Sequence, residues 1–333
     1  MLNITTITAK SIGGVVSYYA DGADDYYAKD GQSMRWEGEG AKALGLEGEV
    51  SQPRFRELLH GKLSDTEQLY RPNKEGMKER LGYDLTFSAP KGVSLQALVH
   101  GDHRIVQAHD RAVKAAIQEA ERLAMARSTT KGKTRIEHTN NLAVATFRHE
   151  TSRAKDPDLH THAFVLNATQ RADGQWRSLT NDGIVNSLKH LGNVYKAELA
   201  KELQKEGFEL RIDRNGTFDL AHFSEEQIKA FSARSAQIEA QLASRGLNRE
   251  TATAGQKQTA AMQTRQRKEA SLDRAALHAE WMDRARRLEI ELGPEVGKQA
   301  PRIEKRRIFK TPDAVMEMIA ARDAVRHATA HLA

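Results

Sequence analysis

The sequence predicts an α+β protein, because strands and helices follow one another through the first two thirds of the chain and helices dominate the rest. Residues 142–147 and 163–169 are apolar strands that flank a polar segment, which predicts a hairpin or two neighbouring strands. Residues 82–88 also have strand composition. Residues 224–290 are rich in Ala, Gln and Arg and predict a helical C-terminal region.

The remaining elements are predicted from local signals in chain order. Residues 3–8 alternate β-branched residues with others, as strands do, and Ser11 can cap a short helix that follows. Glycines punctuate residues 34–50, which predicts a short helix between turns. Pattern and composition predict further helices at residues 55–63, 95–100, 105–126 and 184–207, an edge strand at 176–179, and a strand pair within 208–220.

Composition excludes several classes of protein. The chain has 333 residues and no cysteine, which excludes disulfides, thiolate catalysis and Cys-ligated metal. No run approaches the ~18 apolar residues of a membrane span, and the first residues lack the basic and apolar regions of a signal peptide. We therefore predict a cytoplasmic protein without a membrane span.

Charge is distributed unevenly along the chain. The net charge is +6, yet residues 1–50 hold four Lys/Arg against eight Asp/Glu, a balance of −4, so the remaining chain carries +10. A basic body is typical of proteins that bind a polyanion, most simply nucleic acid. A solvated basic surface without a partner is the alternative.

Two tyrosine pairs lie close together near the start of the chain. Four of the seven tyrosines, Tyr18, Tyr19, Tyr26 and Tyr27, fall within ten residues. A phenolate is a competent nucleophile and afterwards a good leaving group, so such a cluster is consistent with repeated covalent transfer. Half-buried structural positions are the alternative, since tyrosine usually occupies them.

Three histidines flank the predicted hairpin. His160 and His162 are two residues apart, so on a strand both imidazoles point to the same side. His149 follows the other strand and can complete a three-nitrogen face. Three imidazoles on a rigid sheet are typical of a catalytic metal site with open coordination positions, whereas a lone His-x-His is more often a surface feature.

Asp84 lies in the middle of an otherwise apolar strand. A carboxylate there is costly unless it has a partner. It could orient one ligand histidine or accept the proton of an attacking tyrosine. An outward-facing aspartate on a half-exposed strand is the alternative.

Together these motifs resemble a known family. The tyrosine pairs, the segment Gly82-Tyr-Asp-Leu-Thr-Phe-Ser-Ala-Pro-Lys91, and His149-x-Thr-Ser-Arg153 followed by Leu159-His-Thr-His162 resemble the MobF class of conjugative relaxases, the TraI/TrwC-like members of the HUH endonuclease superfamily. The middle residue of the superfamily's His-hydrophobic-His is Thr161 here. The resemblance extends from the first strand to about residue 290.

The resemblance implies a fold and a reaction. The fold is a central antiparallel sheet with helices packed on its outer face, plus a helical C-terminal extension that closes over single-stranded DNA. The reaction nicks one strand at a plasmid origin of transfer, keeps the 5′ end on tyrosine and leaves a free 3′-hydroxyl. Tyr18 is then the first nucleophile and Tyr26 the second, with Tyr19 and Tyr27 as substitutes, and Asp84 helps to create the phenolate.

The resemblance also implies a cofactor and a set of DNA contacts. A divalent metal on His149, His160 and His162 polarises the scissile phosphate. The family is associated with Mg²⁺ or Mn²⁺, while imidazole ligands also suit Zn²⁺, Ni²⁺ or Cu²⁺. The expected DNA-binding residues are basic: Lys91, Arg148, Arg153, Lys189, Arg265, Arg267 and Lys268.

Domain organisation and partners follow from the same reading. We expect a relaxase core at residues 1–230, a finger-like extension at 231–292, a basic Pro-containing linker at 293–310, and at 311–333 the start of a truncated helicase-like domain. The expected partners are single-stranded DNA at the transfer origin, accessory proteins of the relaxosome, and a type IV secretion coupling protein. Two alternatives remain, a phosphoesterase that uses metal-bound water and a non-catalytic single-stranded DNA-binding module with a structural metal.

Overall fold

The computed structural model describes residues 2–8, 12–20, 33–69, 80–213, 216–264 and 273–291. The strands in chain order are β1 Leu2–Thr8, β2 Met34–Glu37, β3 Arg80–Ser88, β4 Met125–Thr130, β5 Lys133–His138, β6 Val144–Thr151, β7 Pro157–Leu166, β8 Thr169–Gln170, β9 Trp176–Arg177, β10 Leu179–Thr180, β11 Leu210–Ile212 and β12 Phe218–Leu220. The helices are α1 Ile12–Ala20, α2 Glu39–Ala43, α3 Gln52–Leu59, α4 Lys91–Leu98, α5 His103–Glu121, α6 Asp182–Asn186, α7 Leu188–Lys205, α8 Glu225–Ala230, α9 Ala233–Ala243, α10 Ala254–Gln263 and α11 Arg274–Arg287.

A five-stranded antiparallel sheet forms the centre of the molecule, in the order β1-β3-β7-β6-β2. This confirms the central antiparallel sheet and the pairing of the two histidine-bearing strands. Both strands extend further into polar sequence than composition predicted. Strand β6 continues to Thr151 and β7 begins at Pro157, so all three histidines lie within strands rather than beside them.

The register of the sheet assigns side chains to two faces. Directly opposed residues share a face, and successive residues alternate between faces. Asp84 opposes Phe164, Thr86 opposes His162, and His149 opposes His160, so these side chains share one face. The other face carries Leu85, Phe87, Thr161, Ala163 and Val165.

Each face packs against its own helices. Helices α4, α5 and α7 cover the face that carries Thr161 and form the larger hydrophobic core with it. Helices α1 and α3 cover part of the histidine face, where Val16, Tyr19 and Phe55 pack on Phe147 and Phe164. The same face carries polar side chains toward the other end of β6 and β7, where His149, His160 and His162 lie.

Residues 34–50 differ from the predicted single helix. The segment forms strand β2, which pairs with β6, and then the short helix α2. Gly38 separates the two elements with φ of +97°, and a Cβ at this position would lie 2.3 Å from the carbonyl oxygen of Leu142. The glycine therefore permits a sharp change of direction that local punctuation alone did not distinguish from a turn before a helix.

The ribbon formed by β4 and β5 was not predicted, and β10 pairs with the first residues of β4 to make a three-stranded sheet. The helix expected over residues 105–126 ends at Glu121, and β4 and β5 pair through Thr130 and Lys133. The loop between them is Lys131-Gly132, and both residues have positive φ, 50° and 75°. This is the backbone that tight hairpins require, but Lys at its first position is not a strong sequence signal.

The C-terminal region is helical, as predicted. Capping boxes begin α8 at Ser224 and α10 at Thr253, and a small cluster of Leu242, Ala252 and Ala260 lies within the extension. Residues 292–333, which include the predicted linker and further domain, lie outside the described residues. Within the described part of the chain, no helix combines the length and apolar character needed to cross a membrane.

The extension is attached to the turn between β6 and β7. Asp156 is 1% exposed. Its Oδ2 accepts a hydrogen bond from the Ala233 amide at 2.7 Å, and its Oδ1 accepts from Arg284 at 3.0 Å. The indole of Trp281 donates to the Lys155 carbonyl at 2.8 Å. Helices α9 and α11 therefore hold the turn that connects His149 to His160.

Candidate metal centre and active site

Three histidines converge at one end of β6 and β7. The ring centroids of His149, His160 and His162 lie 5.0–5.3 Å apart. One nitrogen from each ring lies within 4.8 Å of the corresponding nitrogens of the other two, close enough to hold a common metal ion. The structure thus brings together the three residues predicted as ligands, because their opposed register leaves them on one face.

Oxygen acceptors orient two of the three imidazoles. Nδ1 of His162 donates to Oδ2 of Asp84 at 2.7 Å, and Nδ1 of His160 donates to the Asp158 carbonyl at 2.8 Å. A neutral imidazole that donates through Nδ1 has its lone pair on Nε2. Both rings are therefore held in the tautomer that can bind a metal through Nε2, which is the usual arrangement at metal sites.

The electrostatics also suit a metal ligand. Burial lowers the pKa of His160, and the neighbouring His162 imidazole lowers it further against the opposing effect of Asp158. His160 is consequently uncharged at neutral pH, as a ligand must be. The three imidazoles, the tautomers of His160 and His162, and the lowered pKa of His160 all fit a divalent cation.

Asp84 occupies the orienting position that the sequence suggested. Besides His162, its Oδ2 accepts from the Tyr19 hydroxyl at 3.0 Å, and its Oδ1 accepts from Thr86 Oγ1 at 3.2 Å. Three donors from three elements therefore partner this buried carboxylate, which offsets the cost of burying it.

Tyr19 is a core residue with a polar tip. Its side chain is 2% exposed, stacks on Phe147 with centroids 5.4 Å apart, and meets the edges of His162 and Phe164. Its buried hydroxyl donates to Asp84, so the phenol is packed in the core with a carboxylate as its partner. The expected role of Tyr19 as a substitute nucleophile stays a prediction.

Helix α1 brings the first tyrosine pair to the histidines. Its C-terminal end lies beside them, with the Tyr19 carbonyl 3.5 Å from Nε2 of His149. Tyr18 is the preceding residue of the same helix, while its side chain lies outside the described part. Tyr26 and Tyr27 also lie outside the described residues.

Four of the seven residues predicted to contact DNA lie in the described part of the chain, and among them Lys91 and Arg148 have partners within the protein. Lys91 donates to the Pro157 carbonyl at 2.5 Å, and buried Arg148 pairs with Asp110 at 2.5 Å on the face opposite the histidines. Arg148 is adjacent to His149, so strand alternation turns it away from anything bound at the triad. Arg153 is half-buried and Lys189 is exposed on α7. Arg265, Arg267 and Lys268 lie outside the described residues.

Sequence reasoning missed the basic ribbon β4–β5. Its exposed residues include Arg127, Lys131, Lys133 and Arg135, and Ile136 is 55% exposed. The signal available in the sequence was the β-branched residues Thr129, Thr130 and Thr134 on either side of Lys131-Gly132.

Comparisons with known proteins identify similar chains. A family model described as TrwC relaxase matches residues 12–288. Two curated proteins named multifunctional conjugation protein TraI, one from Escherichia coli and one from its strain K12, are 37% and 36% identical over 292 residues. These matches cover 85% of this chain, which spans 16% of the length of each relative.

This chain covers almost the whole length of the solved structures that it matches. The conjugative relaxase TrwC in complex with oriT DNA, in a metal-bound structure, has a TM-score of 0.82 and 52% identity, covering 87% of this chain and 99% of that one. Its copper-bound structure gives 0.83 and 53% with the same coverage. TrwC with a 27-mer DNA comprising the recognition hairpin and the cleavage site gives 0.80 and 49%, again with 87% and 99% coverage.

Proposed function

The chain belongs to the TrwC relaxase family, and from this premise we propose that it cleaves one DNA strand at a plasmid origin of transfer through a tyrosine ester. Membership confirms the resemblance to MobF-class relaxases. The observation that carries the proposed chemistry is the convergence of His149, His160 and His162 beside the end of the helix that bears Tyr18.

The proposed reaction is a transesterification. The phenolic oxygen of Tyr18 attacks the scissile phosphorus, a new P–O bond forms, and the bond from phosphorus to the 3′ oxygen breaks. The phenolic proton leaves and the departing 3′ oxygen takes up a proton, which leaves a free 3′-hydroxyl and a 5′-phosphotyrosyl ester. Since one phosphodiester replaces another, the reverse reaction rejoins the strand without ATP. Tyr26 is the proposed nucleophile of the second transfer.

The three histidines would hold a divalent metal. Such an ion supplies Lewis-acid polarisation of a non-bridging phosphate oxygen. Asp84 holds the His162 ring through Nδ1, and Tyr19 and Thr86 hold Asp84, so these residues keep the site arranged before DNA binds. We propose Mg²⁺ or Mn²⁺ as the working ion. Zn²⁺, Ni²⁺ and Cu²⁺ also suit three imidazoles, and one TrwC structure contains copper.

DNA binding involves more of the chain than the triad. Single-stranded DNA of the transfer origin is the proposed substrate, since the similar TrwC structures contain oriT DNA. We assign the exposed basic ribbon β4–β5 to duplex DNA flanking the cleavage site, because a two-stranded ribbon fits the major groove. Its cations would contact phosphates and make binding salt-dependent.

A longer protein would carry further functions. The TraI relatives are much longer than this chain. ATP-dependent helicase activity, relaxosome accessory proteins and a type IV secretion coupling protein are proposals for that whole protein. The corresponding location is the bacterial cytoplasm, followed by transfer with DNA into a recipient cell.

The test is covalent capture of DNA. Single-stranded DNA spanning the transfer origin of the encoding plasmid is labelled at its 3′ end and incubated with protein and Mn²⁺, then separated on a denaturing gel. We expect label at protein size, lost with EDTA and in Tyr18→Phe/Tyr26→Phe. Free fragments without an adduct would indicate hydrolysis by water, and binding without cleavage under any metal would indicate a binding module.

A further inference from the structure

Helix α5 contacts the reverse sides of both strands that carry the histidine triad. On β7, Thr161 lies between His160 and His162 and points to the opposite face, where its Oγ1 is 2.8 Å from Nε2 of His109. On β6, Arg148 precedes His149 and pairs with Asp110 at 2.5 Å. His109 and Asp110 are consecutive residues of α5, so one turn of this helix reaches both strands directly behind the triad.

His109 is itself fixed from its other side. Its Nδ1 lies 2.8 Å from the Tyr195 hydroxyl of α7, and its ring meets the Tyr195 ring edge-on. His109 and Tyr195 are fully buried, and Thr161 is 3% exposed. We name the chain Tyr195–His109–Thr161 the reverse-face relay.

The relay is unusual for its surroundings. Around the relay, α5 also contributes the buried apolar residues Ala108, Ala112, Ala116 and Ile117 to the larger core. Burial lowers the pKa of His109 well below its usual value, so the ring is buried uncharged. An uncharged imidazole has one donor and one acceptor nitrogen, and the two hydroxyls satisfy both.

An open, polar-lined pocket of about 250 Å³ lies between α5 and the strands β2 and β6, and Asp110, Arg148 and Thr161 are among the residues that line it. Behind the histidines, the contacts between α5 and the strands therefore include directional hydrogen bonds as well as apolar packing.

We propose that His109 is a positioning residue for the metal centre. Through its hydrogen bond to Thr161, His109 fixes the position and tilt of residues 160–162 of β7. The relay explains why the middle residue of the His-x-His motif is a threonine, since a hydrophobic residue would leave Nε2 of His109 without its hydroxyl. The proposal rests on the metal site of the proposed function.

The decisive variant is Thr161→Val, which keeps the shape of the side chain and removes the hydroxyl. Thr169→Val is the matched control, because Thr169 is also buried and its hydroxyl donates to Thr139 and to the Asn141 carbonyl, away from the triad. Both variants should lower Tm by about 3 °C through the loss of a buried hydrogen bond.

Metal affinity separates positioning from stability. By calorimetry with Mn²⁺ and no DNA, we expect Thr161→Val to weaken binding about 10-fold, as for the loss of an outer-shell partner, and Thr169→Val to leave it within about twofold. Thr161→Ser keeps the hydroxyl and should bind Mn²⁺ like the wild type. Equal affinity in Thr161→Val and wild type, or equal loss in Thr169→Val, would overturn the proposal.

Two further arms keep the test decisive. Tyr195→Phe removes only the outermost hydroxyl; if Thr161→Val does not fold, an unchanged Mn²⁺ affinity in Tyr195→Phe overturns the relay. In metal-free protein, the ring NMR resonances of His160 and His162 should shift in Thr161→Val and stay in place in Thr169→Val. That arm needs no metal, so a wild-type protein that binds no Mn²⁺ would contradict the proposed metal site while the relay is still tested.

Discussion

The two faces of strands β6 and β7 use polar side chains in different ways. On one face, His149, His160 and His162 each bring one ring nitrogen close to the other two. The Asp158 carbonyl and the Asp84 carboxylate orient His160 and His162 through Nδ1. On the other face, Arg148 and Thr161 form an ion pair and a hydrogen bond with residues of α5. Residues that are neighbours in the sequence therefore have different tasks, one presenting chemistry and the next holding the strand that presents it.

The largest effect should come from a ligand on the triad face. His160→Ala removes one of three nitrogens, and we expect adduct formation to fall by at least about 100-fold, comparable to losing a main source of transition-state charge stabilisation. His190→Ala is the control, because His190 is exposed on α7 and forms a surface pair with Glu119. Equal adduct yields from the two variants would remove the triad from the mechanism.

The next effect concerns orientation on the same face. Asp84→Asn replaces the carboxylate that holds His162, and we expect Mn²⁺ affinity to drop about 10- to 100-fold. Asp158→Asn should change it little, since His160 bonds to the Asp158 carbonyl while the side-chain oxygen lies 3.6 Å away. A larger loss in Asp158→Asn, measured by calorimetry, would contradict this assignment.

A smaller effect should distinguish the buried cation Arg148 from the exposed cations of the ribbon β4–β5. Arg148→Met removes the ion pair with Asp110 and should lower the free energy of unfolding by about 2 kcal/mol, less than for a fully buried pair because Asp110 is partly exposed. The salt dependence of DNA affinity should not change. Arg135→Met on the ribbon should do the reverse, with stability unchanged and the salt slope smaller by about 0.9 if Arg135 contacts a phosphate.

Protonation of His109 on the reverse face should not affect the free energy of unfolding at neutral pH and should lower it increasingly in acid. The folded-state pKa of His109 is well below the ordinary 6.5 because of burial. The unfolded chain therefore binds a proton that the folded protein excludes, and stability falls as pH decreases below about 6.5. Chemical denaturation of metal-free protein should show a shallower fall in Thr161→Val/His109→Leu. The same pH slope in both proteins would contradict an uncharged, buried His109.

Local spacing made the triad predictable from the sequence. His160 and His162 share a face because strands have a period of two, and no other part of the chain is needed to see it. The helical character of the C-terminal region was likewise predicted from local composition, whereas the family resemblance implied the central antiparallel sheet and the DNA chemistry. The fold and the relaxase assignment are confirmed, whereas the roles of individual side chains remain predictions.

Long-range register was not available from the sequence. Strand alternation next to His149 would have placed Arg148 on the opposite face, but the contact of Arg148 with Asp110 of α5 and that of the Tyr19 hydroxyl with Asp84, 65 residues away, could not be predicted locally. The ribbon β4–β5 was missed because its turn uses Lys131 at positive φ, where Asn or Asp would have given a clearer signal.

The attachment of helices α9 and α11 to the turn before His160 bears on how the protein can be divided. Asp156 and Trp281 link residues that lie on opposite sides of the predicted boundary at residue 230. Leu277, Trp281 and Ala285 also belong to the larger core. The predicted boundary at residue 230 therefore divides the sequence, but the residues on its two sides pack in one core and should unfold together. A chain cut at residue 230 would expose part of that core and free the turn that joins two of the metal ligands.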